Sequence, residues 1–249
     1  MLIERHRFKD KMYANDARNL SRHDKTQIAV KNAIASIMLQ YRHRVHDVLE
    51  IGGHKGYQTV VYRDQLVSPK RTVIYDWKDT RAEEVRELVE FTNVDLETQC
   101  FPDLDSSFDV VICNQVLEHI KNIFTPLSEM HRVLRPGGLL ILSVPNLAAL
   151  HNCILLTFGR QPTTIRLMGS HVRGYAVWAM SDLLRMNSHF RILDLKGMGL
   201  HPFTSMALPG FLKTFCHTPI WLCEKQVSSR PLWEEERKVR FTTTNFFSE

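Results

Sequence analysis

The stretch Val45–Thr59, VHDVLEIGGHKGYQT, constrains this chain more than any other. Val48, Leu49 and Ile51 read as the end of a buried parallel strand. Such strands are covered on both faces and run apolar without alternation. Glu50 sits at the strand's carboxyl end. Gly52, Gly53 and Gly56 then turn the chain into a helix that begins near Tyr57. Glycines suit this turn because they reach positive φ at no steric cost and let a ligand approach the backbone. The helix start adds free N–H groups and a partial positive charge. The three parts predict a nucleotide-type pocket at the sheet's carboxyl edge. The spacing, G-G-H-K-G, departs from the G-x-G-x-x-G fingerprint. Alone it describes a tight strand-to-helix turn equally well, so the residues downstream decide.

Upstream, Asp24 reads as the N-cap of an amphipathic helix over 25–41. Downstream, the helix continues to Val67 and is broken at Ser68-Pro69. A second strand, Thr72–Tyr75, ends at Asp76. That acid stands where a dinucleotide site expects a carboxylate for a ribose diol. Trp77 beside it would lie against a purine ring or simply pack. A charged helix over 80–91 leads to a third strand, Thr92–Leu96, with Asp95 near its end. Phe108–Cys113 is a fourth buried strand, with Asn114 and Gln115 at its carboxyl end. Glu118 and His119 open or precede a helix that runs to about Leu134 and is ended by Pro136-Gly137-Gly138. Leu139–Val144 is a fifth buried strand. This alternation predicts an α/β fold with a doubly wound, Rossmann-like sheet and the site beside its first strand.

Beyond Leu147 the rhythm changes. A helix over 147–158, a basic irregular loop over 159–175 and a helix over 176–189 form a substrate-side insertion. Strands at Phe190–Leu195 and Pro219–Cys223 follow. The core domain is therefore read as 45–223. Residues 1–44 are a basic segment with a helix packed on the core, and 224–249 are a charged, flexible tail. No run of about 18 apolar residues exists, so no membrane-spanning helix is expected. The N-terminus lacks a secretory signal core. Five cysteines without a C-x-x-C pair fit free thiols in a reducing cytoplasm, and no residue is assigned to a metal. The net charge of +5 is concentrated in residues 1–46, which hold ten Lys/Arg against four Asp/Glu. That segment would touch an anionic partner, including a membrane surface, or form a solvated face.

The residues from Val45 to Asn146 resemble the class I S-adenosylmethionine-dependent methyltransferases. VLEIGGHKG looks like that family's cofactor loop and VIYD like its ribose-binding strand end. FPDLDSSFDVVICNQVLEHI followed by MHRVLRPGGLLILSVPN is similar to its fourth and fifth strands. The resemblance implies a seven-stranded mixed sheet with its last strand antiparallel, and S-adenosylmethionine as cofactor. It implies that Glu50 orients the loop and the cofactor's methionine end. Gly52, Gly53 and Gly56 allow close backbone approach, with His54 in place of the usual middle glycine. Asp76 holds the ribose hydroxyls. Asp95 and Leu96 border the adenine, and Asn114 and Gln115 lie near the methionine moiety.

A sulfonium is already a strong methyl donor, so in-line approach supplies most of the rate. A base is needed where the acceptor is a hydroxyl. His119 is the first candidate, with Glu118 to orient it; His171 and Tyr175 are rivals. Asn114-Gln115-Val116-Leu117 lacks the Pro-Pro-aromatic platform used on exocyclic base amines, and the Pro-Cys pair of cytosine-C5 enzymes is missing. NLAALHNCILL, SHVRGY and LKGMGLHPF resemble methyltransferases encoded with bacterial surface-glycan pathways. A small-molecule or glycan hydroxyl is therefore the expected acceptor, with Arg160, Arg166 and Arg173 available to phosphates. Nucleic acid is not the expected partner. The alternatives are a non-catalytic binding protein with a degenerate loop, suggested by His54, and an RNA methyltransferase using the basic segment. A nicotinamide dehydrogenase fits the glycine spacing less well.

Overall fold

The computed structural model describes residues 21–200, 203–228 and Trp233. The basic segment 1–20 and the tail positions 229–232 and 234–249 lie outside the described residues.

The first helix, α1 (Arg22–Gln40), begins one turn earlier than the spacing suggests. Ser21 is its N-cap and Asp24 sits at N3, the two closing a reciprocal capping box. Asp24 satisfies the helix start from inside rather than capping it. Strand β1 (Asp47–Ile51) leads through the glycine turn into α2 (Tyr57–Arg63). Strands β2 (Arg71–Asp76), β3 (Glu90–Asn93), β4 (Phe108–Asn114) and β5 (Leu134–Ser143) follow, with α3 (Phe124–Val133) before β5. Then come α4 (Leu150–Thr157), α5 (Val177–Arg185), β6 (Phe190–Leu200), β7 (Phe203–Leu208) and β8 (Thr218–Lys225).

One sheet of eight strands results, in the order β3-β2-β1-β4-β5-β8-β6-β7. Its first five strands are parallel, and β8 runs antiparallel between β5 and β6. The seven expected strands are present. The eighth, β7, adds antiparallel to the outer edge of β6. Its Pro-, Phe- and Leu-containing stretch carries no clear period-two pattern.

The continuous apolar strands divide their residues between two faces. Leu49, Ile51, Val111, Cys113, Leu140 and Leu142 pack with Leu127 and Met130 of α3 and Met180 and Leu184 of α5. Val48, Val110, Ile112, Leu139 and Ile141 pack with Val30, Ile34, Ile37 and Met38 of α1 and with Tyr62. The α1 stripe is therefore core contact.

At the amino edge the sheet is bound together by charge. Asp109 accepts the backbone N–H groups of His46 and Asp47 at 2.8 and 3.0 Å. Arg135 donates to Asp109 at 2.6 Å and to Asp47 at 2.9 Å. Three strands thus share one carboxylate–guanidinium network, which no turn residue foretells.

Three local expectations change. The charged helix over 80–91 is only a 3₁₀ turn at Glu83–Val85. Arg81 donates to the Val89 carbonyl at 2.5 Å and forks onto Asp79, tying the segment in an open shape. The third strand ends at Asn93, where the Val94 N–H closes the last ladder bond, to the Asp76 carbonyl. Asp95 accordingly lies in the turn after the strand. Pro136-Gly137-Gly138 sits at the start of β5 rather than at a helix end, since Leu134 is already extended. In the expected tail, Trp233 is buried and its indole donates to the Leu183 carbonyl at 2.7 Å. A ring of that size gains more from burial against His189 and Phe190 than from solvent.

Candidate functional site

The site is built where the parallel strands end. Glu50, the fourth residue of β1, is 4 % exposed and points into the sheet end. The Thr59 hydroxyl of α2 donates to it at 2.5 Å. Burial pushes its carboxyl up to about 7, against the opposing pull of Thr59 and Lys31.

The glycine turn is packed tightly. Gly52 and Gly56 have φ values of +73° and +76°, in the left-handed region. A Cβ on Gly52 would lie 2.5 Å from Val116, and one on Gly53 would lie 2.7 Å from Ile74. His54 takes φ +48° without being glycine. Its side chain is exposed, and its backbone N–H donates to Asp76 at 3.3 Å. The Trp77 N–H holds the other Asp76 oxygen at 2.8 Å. Asp76 therefore stands at the end of β2, bridged to the loop and half-exposed, with acceptor lone pairs left over. The Trp77 ring is 75 % exposed and packs on no core element.

The remaining predicted positions separate by environment. Asp95 is exposed and closes its own turn, accepting from the Glu97 N–H and the Thr98 hydroxyl. The Thr98 contact holds its carboxyl below the usual range. Leu96 is a core residue beside Phe101. Asn114 accepts from Ser143 at 2.5 Å at the end of β4. Gln115, at φ +58°, bonds Ser143 and also accepts from Gln27 of α1 at 3.2 Å. This last contact brings α1 to the site and could not be read from spacing.

Beyond Gln115 opens a cavity of about 540 Å³, a volume suited to a small molecule. Its lining includes Gln115, His151, Thr163, Arg166, His171 and His217. The His151 and His217 rings stack at 5.6 Å. The 159–175 loop is thus part of the cavity wall. It is pinned by Asn152, fully buried, whose amide bonds the Thr163 N–H and the Thr164 hydroxyl.

His119 and His171 come together at the mouth, ring centroids 4.9 Å apart. His119 Nδ1 donates to the Ser170 carbonyl at 3.1 Å, and His171 Nδ1 to the Thr164 carbonyl at 2.7 Å. A carbonyl only accepts, so both rings carry a proton on Nδ1, and Nε2 is the nitrogen not engaged by these bonds. Glu118 is 1 % exposed beside them, and its Oε2 has no hydrogen-bond partner. Burial pushes its carboxyl up to about 8. Tyr175 is placed differently. Its hydroxyl donates to the Leu117 carbonyl at 2.9 Å, where burial raises its pKa, so it holds the loop rather than facing the cavity. Arg166 lines the cavity, Arg160 is exposed outside it, and Arg173 donates to the Lys121 carbonyl. Among the described residues no helix is long and apolar enough to cross a membrane.

Residues 49–142 match a family described as a methyltransferase domain. A protein of Mycolicibacterium smegmatis named as a probable S-adenosylmethionine-dependent methyltransferase is 34% identical over 111 residues, or 43% of this chain and 41% of that protein. The match thus spans under half of that relative's length. Among solved structures, the 1,6-didemethyltoxoflavin-N1-methyltransferase of Burkholderia thailandensis superposes with a TM-score of 0.55 at 18% identity, over 91% of this chain and 85% of its own. The [4+2]-cyclase SpnF reaches a TM-score of 0.57 at 16% identity, over 79% and 82%. The fold is therefore shared with a catalyst named for another reaction. Residues 49–142 are thus similar to a methyltransferase domain, and the sheet that holds them has the fold of the class I S-adenosylmethionine-dependent methyltransferases.

Proposed function

We propose that this chain is an S-adenosylmethionine-dependent methyltransferase acting on a hydroxyl of a small molecule or glycan. The observation that carries the reading is the join between the glycine loop and Asp76. A half-exposed carboxylate at the end of β2 is held by a backbone N–H of the loop that leaves β1. This donor set fits the cofactor. Asp76 would accept the ribose hydroxyls, Trp77 offers a free ring face, and Asn114 and Gln115 stand at the end nearer the acceptor cavity. Asp95 lies outside the strand end and binds its own turn, so its part is at most to border the purine.

When bound, the cofactor supplies a sulfonium-activated methyl group. The cavity beyond Gln115 holds the acceptor. His119 Nε2 or His171 Nε2 would take the proton of the acceptor hydroxyl. Arg166 in the cavity wall favours an acceptor that also carries an anionic group.

The reading is tested by calorimetric titration with S-adenosylmethionine. Saturable micromolar binding is expected, lost in Asp76→Ala. Absence of binding by the unaltered chain overturns it. A second reading, a binding protein with a degenerate loop, is favoured only by His54. Its side chain is exposed and its φ already lies where glycine would, so His54→Gly is expected to change affinity by less than about tenfold. Binding that appears only in His54→Gly supports the second reading instead.

A further inference from the structure

Glu118, His119 and His171 form a group that the cofactor site does not use. One ligand-capable atom from each lies within 4.8 Å of the other two. Both imidazoles have their Nδ1 atoms committed to carbonyls, those of Ser170 and Thr164. Ligating histidines in proteins are usually held this way, with one nitrogen fixed by a backbone or carboxylate acceptor and the other free for the metal. The third member is a buried carboxylate with an unpartnered oxygen. An orphaned carboxylate oxygen costs folding free energy unless something meets it.

We propose that Glu118, His119 and His171 bind one divalent transition-metal cation, of the zinc class, at the mouth of the acceptor cavity. Two imidazole nitrogens and one carboxylate oxygen are the donor set of open, three-ligand sites. At bond lengths of about 2.0–2.1 Å and tetrahedral angles the ligand atoms would sit roughly 3.3 Å apart. Side-chain rotations of about 1 Å each close the group to that spacing. His119 is exposed and His171 half-buried, so a cation enters from solvent and keeps at least one open position.

His171 is part of the cavity wall, so the cation would stand at the cavity's edge. The role of the cation rests on the methyl-transfer reading. An acceptor hydroxyl bound to it would lose its proton to water more readily, since the cation stabilises the alkoxide. The imidazoles then act as ligands, and no protein base is required. The existence of the site does not rest on that reading.

The sequence hides the group. Glu118 and His119 lie 53 and 52 positions before His171, and none belongs to a spaced metal motif. Bonds between distant residues, among them those from the Val172 and Arg173 N–H groups to the Glu118 carbonyl, bring the loop against a 3₁₀ turn at Leu117–His119.

The experiment is titration of the chelator-stripped full chain with zinc chloride, followed by calorimetry, and with cobalt(II), followed by its visible ligand-field spectrum. One cation per chain is expected. His119→Ala and His171→Ala should each weaken binding by more than about tenfold. Glu118→Gln should do the same, with circular dichroism reporting whether it folds. His43→Ala, at the opposite end of the sheet, should leave affinity unchanged. Equal affinity in the unaltered chain, His119→Ala and His171→Ala overturns the site, as does absence of binding. S-adenosylmethionine titration of the same variants separates the two readings. Metal loss with intact cofactor binding supports the site, whereas cofactor loss in the unaltered chain removes only its catalytic role.

Discussion

Replacing Glu50 with glutamine isolates the free-energy cost of placing a carboxylate under the glycine loop. Glu50 is 4 % exposed, and burial raises its pKa from 4.5 to about 7. Below pH 4.5 the group is protonated in folded and unfolded chains alike, so it costs nothing. As pH rises, the unfolded chain ionises first while the native carboxyl keeps its proton. The stability it contributes at low pH is then lost, and the full loss, about 3 kcal/mol, is reached above pH 7. Glutamine has no charge to desolvate, and its amide oxygen still accepts from Thr59. Glu50→Gln should therefore gain about 2.5 kcal/mol over the unaltered chain between pH 5 and pH 8. For a chain of this length that is a melting-temperature gain of about 5–10 °C at the higher pH. Urea denaturation of both proteins at several pH values in this window measures it, and other titrations cancel in the difference. Stability differences that stay constant across the window refute the reasoning, as does a glutamine variant that is less stable at pH 8. The same variant should bind S-adenosylmethionine more weakly. Gain of stability with loss of binding is the signature of a group kept for function.

Two further substitutions address the frame of the site. Gly52→Ala combines a left-handed φ with a Cβ 2.5 Å from Val116, so a loss of about 2–4 kcal/mol is expected by urea denaturation. Adding Val116→Ala should recover the packing part and leave the backbone part. Asn152→Ala removes four hydrogen bonds from a buried amide. A loss of about 2–3 kcal/mol is expected, with faster hydrogen exchange across 159–175 and unchanged cofactor affinity. Slow exchange in that loop would show that other contacts hold it.

The parts legible in the sequence were those set by near neighbours. Val73–Tyr75, Val110–Cys113 and Leu139–Leu142 are apolar runs without alternation, as is Val48–Ile51 apart from Glu50, which reads as inner strands. Gly52 and Gly56 marked the left-handed turn, and Asp76 fell at its strand end because strand lengths match across a parallel sheet. What escaped depended on distant partners. The 80–91 segment has helical composition, yet the Arg81 guanidinium takes a backbone carbonyl and opens it. Strand β7 exists because β6 leaves an edge to pair with. The Gln27–Gln115 bond spans 88 positions. The meeting of His119 with His171 needs a loop whose position is fixed by the buried amide of Asn152, and no local period encodes that.

The carboxylate–guanidinium network of Asp47, Asp109 and Arg135 sits at the opposite end of the strands from every loop that meets a ligand. Strand alignment at that end therefore involves no residue of the glycine loop or of the 159–175 wall. Lengthening, shortening or rewriting that wall leaves the foundation in register, so a descendant of this chain can change what it modifies without learning again how to fold.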